Sequence, residues 1–209
     1  MSLFKMTVLG RIVETGLVAV LRADTADAAN RIADSCFEGG VRAVEITFTV
    51  SGAARAIEEQ RTRARATDVV IGAGTVLDPE TARIAILAGA QFIVSPALNS
   101  ATARLCNRYQ IPYMPGAGTV REVLEAMECG AEIVKVFPGE TLGPSFVQSV
   151  KAALPQASFI PTGGVSLENV GTWIRAGCVA VGVGGHLTKS TNIAETAKQF
   201  LEEIRKARA

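Results

Sequence analysis

The chain is poor in the residues that build metal centres and disulfide scaffolds. Its 209 residues include one histidine, His186, and four cysteines, Cys36, Cys106, Cys129 and Cys178. No two cysteines form a Cys-x-x-Cys pair, and the histidine is close to none of them in sequence. A zinc-type site is therefore not expected, and a domain of this size needs no disulfide scaffold. Buried, reduced thiols in a cytoplasmic protein are the expected state. An excess of charge is missing too: 21 Lys and Arg stand against 20 Asp and Glu. That balance gives no electrostatic footprint for nucleic acid or an anionic membrane. No apolar run is long enough to span a bilayer. The start leads into a short amphipathic stretch rather than the apolar core of a secretory signal. Also lacking are a linker, a low-complexity segment, a close internal repeat and a dinucleotide-binding glycine fingerprint. One domain covering residues 1–209 is expected. Its 48% hydrophobic and 20% charged residues suit a soluble globule with a substantial core.

What is present is strand, turn and helix, repeated. Apolar runs predict strands at 17–21, 43–47, 69–73, 92–95, 112–114, 133–137, 159–161 and 179–183. Helical patterns lie at 25–38, 51–65, 79–87, 100–109, 120–129, 144–154 and 167–176, with a short helix at 8–15 and a charged one at 193–207. Asp78-Pro79-Glu80 and Ser166-Leu167-Glu168 read as helix starts. Gly39-Gly40, Gly89, Gly130 and Gly177 read as stops. Such alternation implies a parallel sheet with helical crossovers, either open and doubly wound or closed as a barrel. Eight strands favour a single-domain (β/α)8 TIM barrel with a short N-terminal helix and tight loops.

Strand alternation singles out three charged residues. Ala43, Glu45 and Thr47 share one face of the second strand; Lys135 faces opposite to Val134 and Val136; Arg22 follows Val18 and Val20. If the bulky faces meet the helices, Arg22, Glu45 and Lys135 point into the barrel. Burial disfavours the charged form of a lysine, and a neutral amine forms Schiff bases with carbonyls. A snorkelling lysine or a structural ion pair with Glu45 is the competing account. As a functional pair, Glu45 would shuttle protons during chemistry at Lys135.

In such barrels the site lies at the C-terminal ends of the strands. Here those ends are rich in glycine and proline: Gly72-Ala73-Gly74-Thr75, Ser95-Pro96, Pro115-Gly116, Phe137-Pro138-Gly139, Pro161-Thr162-Gly163-Gly164 and Gly182-Val183-Gly184-Gly185. The last two clusters, on adjacent strands, suggest a phosphate held by backbone N–H groups. His186 follows the second cluster, either as a donor to a phosphate oxygen or as a bystander on the rim. No carboxylate or thiol cluster accompanies it, so no metal is expected.

Read in order, these segments resemble the class I 2-keto-3-deoxy-6-phosphogluconate (KDPG) and 4-hydroxy-2-oxoglutarate (KHG) aldolases. The resemblance runs along almost the whole chain. Its carriers include Ala19-Val20-Leu21-Arg22, Val44-Glu45-Ile46-Thr47-Phe48-Thr49, Ile71-Gly72-Ala73-Gly74-Thr75-Val76, Val134-Lys135-Val136-Phe137-Pro138-Gly139 and Pro161-Thr162-Gly163-Gly164-Val165. It implies a cofactor-independent barrel enzyme, usually a homotrimer, that cleaves 2-keto-3-deoxy-6-phosphogluconate to pyruvate and glyceraldehyde 3-phosphate. Lys135 then matches the Schiff-base lysine and Glu45 the general acid/base. Thr75, Pro96 and Phe137 match residues around the pyruvyl part, and Gly163, Gly164, Gly184 and Gly185 the phosphate end. Two positions depart from the pattern. Where some members carry an arginine for the substrate carboxylate, this chain has Thr49, and Arg22 is the natural replacement. At His186 many relatives have serine or another small residue. The epimeric phosphogalactonate and the unphosphorylated 4-hydroxy-2-oxoglutarate are alternative substrates. A metal-dependent pyruvate aldolase would need acidic and histidine ligands at the mouth, which the sequence lacks. A phosphosugar-binding barrel without catalysis is the alternative from another class, and the presence of both Glu45 and Lys135 argues against it.

Overall fold

The computed structural model describes residues 3–64 and 68–209. Among the described residues nine short strands are all buried: β1 (Leu17–Leu21), β2 (Ala43–Thr47), β3 (Val70–Gly74), β4 (Ile93–Val94), β5 (Tyr113–Met114), β6 (Gly116–Ala117), β7 (Val134–Val136), β8 (Phe159–Pro161) and β9 (Val181–Val183). The helices are α1 (Phe4–Thr15), α2 (Ala26–Glu38), α3 (Ala53–Arg63), α4 (Pro79–Leu87), α5 (Ser100–Tyr109), α6 (Val120–Glu128), α7 (Gly139–Ala153), α8 (Val170–Arg175), α9 (Gly185–Thr188) and α10 (Ile193–Arg208). All strand pairings are parallel. Six strands run in the order β5-β4-β3-β2-β1-β9, and three in the order β6-β7-β8.

Two seams close these sheets into one barrel. At the first, Pro115 separates β5, which pairs with β4, from β6, which pairs with β7. Proline has no N–H to donate to a ladder, but the Pro115 carbonyl accepts from the Lys135 amide at 2.9 Å. The single strand expected at 112–114 is thus one of two segments bent about a proline. At the second seam, a bridge between Thr162 and Gly182 and a bond from Val179 N–H to Phe159 O (3.0 Å) join β8 to β9.

The apolar residues divide into two clusters. The outer one lies between strands and helices and takes the alternate strand residues Leu17, Ala19, Leu21, Val44, Ile46, Ile71, Ala73, Val134 and Val136. The inner one fills the lower barrel with Val18, Ala43, Val70, Phe92, Met114 and Ile160, and α1 adds Val8, Leu9 and Ile12. The short N-terminal helix therefore acts as a plug. Lys5 Nζ ties it to Glu132 Oε1 (2.7 Å), just before β7. Arg208 ties it to α10 by donating to the carbonyls of Val13 (2.7 Å) and Glu14 (2.8 Å).

Several helix starts follow their caps. Thr25, Asp78, Asn99 and Thr119 each accept an amide of the first turn, and Pro79 opens α4. Others differ from expectation. Residues 166–169 form a turn, Asn169 Oδ1 accepting from Ser166 N–H, so α8 begins only at Val170. The helix expected from 144 begins at Gly139 and breaks at Gly143. The four-residue α9 was not expected, because its Gly185 is a poor helix former. Residue 65, the expected end of α3, lies outside the described residues.

Interior volume is set by glycine. A Cβ at Gly72 would come within 2.3 Å of the Phe92 ring. Gly10, in α1, has nothing within 4 Å of its Cβ position. Gly72→Ala is expected to cost about 1–3 kcal/mol by overpacking. Gly10→Ala is expected to gain about 0.4–1 kcal/mol through the unfolded chain. Thermal unfolding of both variants should move Tm in opposite directions, by about 2–4 °C per kcal/mol for a chain of this size. A Gly72→Ala Tm equal to or above that of the parent would show that the barrel is not filled as described.

Candidate active site

Lys135 and Glu45 lie inside the barrel, 3% and 2% exposed. Lys135 sits in the middle of β7, and Glu45 in the middle of β2. Glycines make room for Glu45 and for the Pro96 backbone. A Cβ at Gly74, on β3, would fall 1.8 Å from Glu45 Oε1. Gly116 is the register partner of Lys135 on β6, and a Cβ there would fall 1.9 Å from the Pro96 carbonyl oxygen. The glycines noted in the sequence at the strand ends are thus the space occupied by a carboxylate and by the Pro96 backbone.

The pair is buried without being joined. Among the described residues no ion pair links Glu45 to Lys135, and Glu45 Oε1 has no hydrogen-bond partner. The Lys135 Nζ lies 4.9 Å from the centroid of the Phe137 ring. Burial is the dominant influence on both groups. It pushes the Lys135 ammonium well down; the Arg22 charge pushes the same way, and Glu45 opposes. It pushes the Glu45 carboxyl up against the attraction of Lys135 and Arg22. The result favours an amine with a free lone pair beside a carboxyl that can give or take a proton.

The substrate residues expected from the resemblance fall into two groups. Arg22, Phe137, Gly163, Gly164, Gly184, Gly185 and His186 line one cleft of about 200 Å³ at the mouth, together with Glu140, Thr162 and Val165. Thr75 and Pro96 are outside that lining. Thr75 follows Gly74, the neighbour of the Glu45 carboxyl, at the end of β3, and Pro96 follows β4, against Gly116. Phe137 connects the groups, since its ring is both cleft wall and neighbour of Lys135.

Arg22 differs from expectation. It is exposed at the mouth rather than turned into the interior. β1 ends at Leu21, so strand alternation no longer governs residue 22, and a guanidinium keeps its hydration there. It remains close enough for its charge to act on both Glu45 and Lys135. His186 is exposed within α9. Glu140 was missed. It opens α7, and the helix expected to start at 144 had left it in a loop. Its carboxylate lies against the Gly163 backbone, with Oε2 2.9 Å from where a Cβ would stand.

Thr75 carries a feature that no sequence pattern reveals. Its φ is 55°, a region where a β-branched side chain is strained, at a cost of about 1–3 kcal/mol. Pro96 is held by a hydroxyl network. Ser95 Oγ lies 2.6 Å from Tyr113 Oη and donates to Ala97 O at 2.6 Å, while Asn99 N–H donates to Tyr113 Oη at 3.2 Å.

Among the described residues no cluster of three or more His, Cys, Asp or Glu is placed to hold a metal. Cys36, Cys106 and Cys178 are buried, and burial pushes each thiol up to about 12. No helix of the described residues is long and apolar enough to cross a membrane.

The KDPG and KHG aldolase family model matches residues 8–204. The chain is 34% identical over 196 residues to the 2-dehydro-3-deoxy-6-phosphogalactonate aldolase of Escherichia coli (strain K12), covering 91% of this chain and 95% of the relative. It is also 34% identical over 190 residues to the 2-dehydro-3-deoxy-phosphogluconate aldolase of Treponema pallidum (strain Nichols), covering 90% of each. A solved native KDPGal structure is similar to it with a TM-score of 0.86 and 32% identity, over 92% of this chain and 95% of that one. A barrel with an amine and a carboxyl buried under its mouth, matched by the family model along nearly its whole length, places the chain in the KDPG and KHG aldolase family: it is a lyase.

Proposed function

We propose that the protein is a Schiff-base aldolase that cleaves 2-keto-3-deoxy-6-phosphogluconate to pyruvate and glyceraldehyde 3-phosphate. The observation that carries this reading is the burial of Lys135 together with Glu45, whose Oε1 has no hydrogen-bond partner, below a glycine-lined cleft. Lys135 Nζ attacks the C2 ketone to give a carbinolamine, which loses water to form an iminium. Glu45 takes the proton of the C4 hydroxyl. The C3–C4 bond breaks, its electron pair moves into the iminium to give an enamine, and the aldehyde leaves. The enamine takes a proton at C3, and hydrolysis releases pyruvate and frees the amine. The iminium places a fixed positive charge at Nζ, which favours the carboxylate form of Glu45 when a base is needed.

Arg22 holds the substrate carboxylate in this reading, with Thr75, Pro96 and Phe137 around the pyruvyl part. Gly163, Gly164, Gly184, Gly185 and His186 receive the phosphate. The homotrimer belongs to the same reading. Leu77 (60% exposed), Ile84 (51%) and Leu87 (69%), on and just before α4, supply an apolar surface for it.

Incubation with pyruvate and borohydride, followed by peptide mapping, should place a single adduct on Lys135. An adduct elsewhere, or none, would sink the mechanism. Glu45→Gln should still form some adduct but lose about a hundred- to ten-thousandfold in turnover; normal turnover would reduce Glu45 to a packing residue.

The phosphate end is tested best at Gly185. A Cβ there meets only Lys189, at 3.7 Å, and the backbone is not left-handed. Gly185→Val therefore narrows the cleft without strain. It should weaken a phosphorylated keto-deoxy acid on the order of tenfold more than an unphosphorylated one, the range for one lost charge-assisted contact. Equal losses would remove the phosphate assignment. Running the gluconate and galactonate epimers and 4-hydroxy-2-oxoglutarate in parallel tests the choice of substrate.

A further inference from the structure

Thr47 is fully buried, on the inward face of β2 two residues after Glu45. Its hydroxyl donates to the carbonyl of Leu21, the last residue of β1, at 2.9 Å. It also lies 2.7 Å from the hydroxyl of Thr49, which is exposed at the mouth. A threonine hydroxyl has one proton. Because a carbonyl can only accept, the Thr47 proton is committed to Leu21. The second bond therefore runs from Thr49 to Thr47. The relay has one direction, Thr49 to Thr47 to the Leu21 carbonyl, and it ends on the peptide unit from which Arg22 leaves.

Past Leu21 the strand no longer fixes the chain, and Arg22 stands exposed on the cleft wall. A long side chain at that point is aimed by its backbone. We propose that Thr47 is a positioning residue for Arg22: its buried hydroxyl pins the end of β1 so that the guanidinium projects into the cleft, and Thr49 braces that hydroxyl. The inference rests on the reading of Arg22 as the anchor of the substrate carboxylate. It gives Thr49 a task as well. With its proton turned toward Thr47, Thr49 supports the arginine from the turn after β2 instead of meeting the carboxylate itself.

The test is steady-state cleavage of the keto-deoxy acid by Thr47→Val, Thr47→Ser, Arg22→Ala and the double variant Thr47→Val/Arg22→Ala, with thermal unfolding alongside. A carboxylate anchor acts on ground state and transition state alike, so its misplacement raises KM more than it lowers kcat. Thr47→Val should raise KM roughly two- to tenfold, the range for one lost hydrogen bond, with kcat little changed. Thr47→Ser, which keeps the hydroxyl, should restore KM. In the Arg22→Ala background Thr47→Val should add nothing further. An equal KM rise with and without Arg22, or a loss confined to kcat or Tm, overturns the proposal. If Arg22→Ala leaves KM for the keto acid unchanged, the anchor reading itself fails and this inference goes with it. If Arg22→Ala raises KM and Thr47→Val does not, only the positioning role fails. Should Thr47→Val not fold, Thr49→Val alters only an exposed residue. It should raise KM in the same direction, and an unchanged value overturns the relay.

Discussion

Two ionisable groups are held out of water inside this barrel, and neither is neutralised by the other. A buried polar group without a partner costs about 1–3 kcal/mol, and more if it is charged. A fold that needed Lys135 and Glu45 only for stability would be expected to close that gap with an ion pair, or to fill the space with apolar side chains. Here the space for the carboxyl is left open by Gly74, which lacks the side chain that would fill it. The lower barrel, by contrast, is packed solid and sealed by α1. Stability is supplied below and between the layers. That leaves the upper barrel free to carry groups that destabilise it.

The strain at Thr75 fits the same division. Of the two non-glycine residues at positive φ among those described, Gln110 caps α5, an ordinary place for that conformation. Thr75 has no such excuse. It follows Gly74, the neighbour of Glu45, at the end of β3, where a rigid scaffold can hold an unfavourable backbone. Unjoined ionisable groups and a strained backbone thus lie toward the same end of the barrel as the glycine loops of the cleft.

Much of this was legible in the sequence, for a physical reason. Period-2 alternation on β2 and β7 separated Glu45 and Lys135 from Val44, Ile46, Val134 and Val136, and the two apolar clusters divide along that line. Caps such as Asp78-Pro79 marked helix starts because their hydrogen bonds are local. What stayed hidden depends on contacts between distant segments. Pro115 could not be seen to split a strand without knowing that its two sides pair with different neighbours. Arg22 was assigned inward because alternation was carried one residue past the end of β1. Glu140 and α9 went unread because weak helix formers, Gly139, Gly143 and Gly185, begin or interrupt their helices. The left-handed backbone of Thr75 leaves no mark on composition at all.

The division into two hydrogen-bonded sheets bears on the distance between the reacting groups. Glu45 belongs to the six-stranded sheet and Lys135 to the three-stranded one. The regular strand ladders of each sheet stop short of the other. Their separation is fixed instead at the two joints, Pro115 on one side and the Thr162–Gly182 bridge on the other, like the gap between two curved staves held by a pair of clasps. Proton transfer depends on close, well-oriented groups, so residues at those clasps, away from both reacting groups in the chain, govern how far apart the acid and the amine stand.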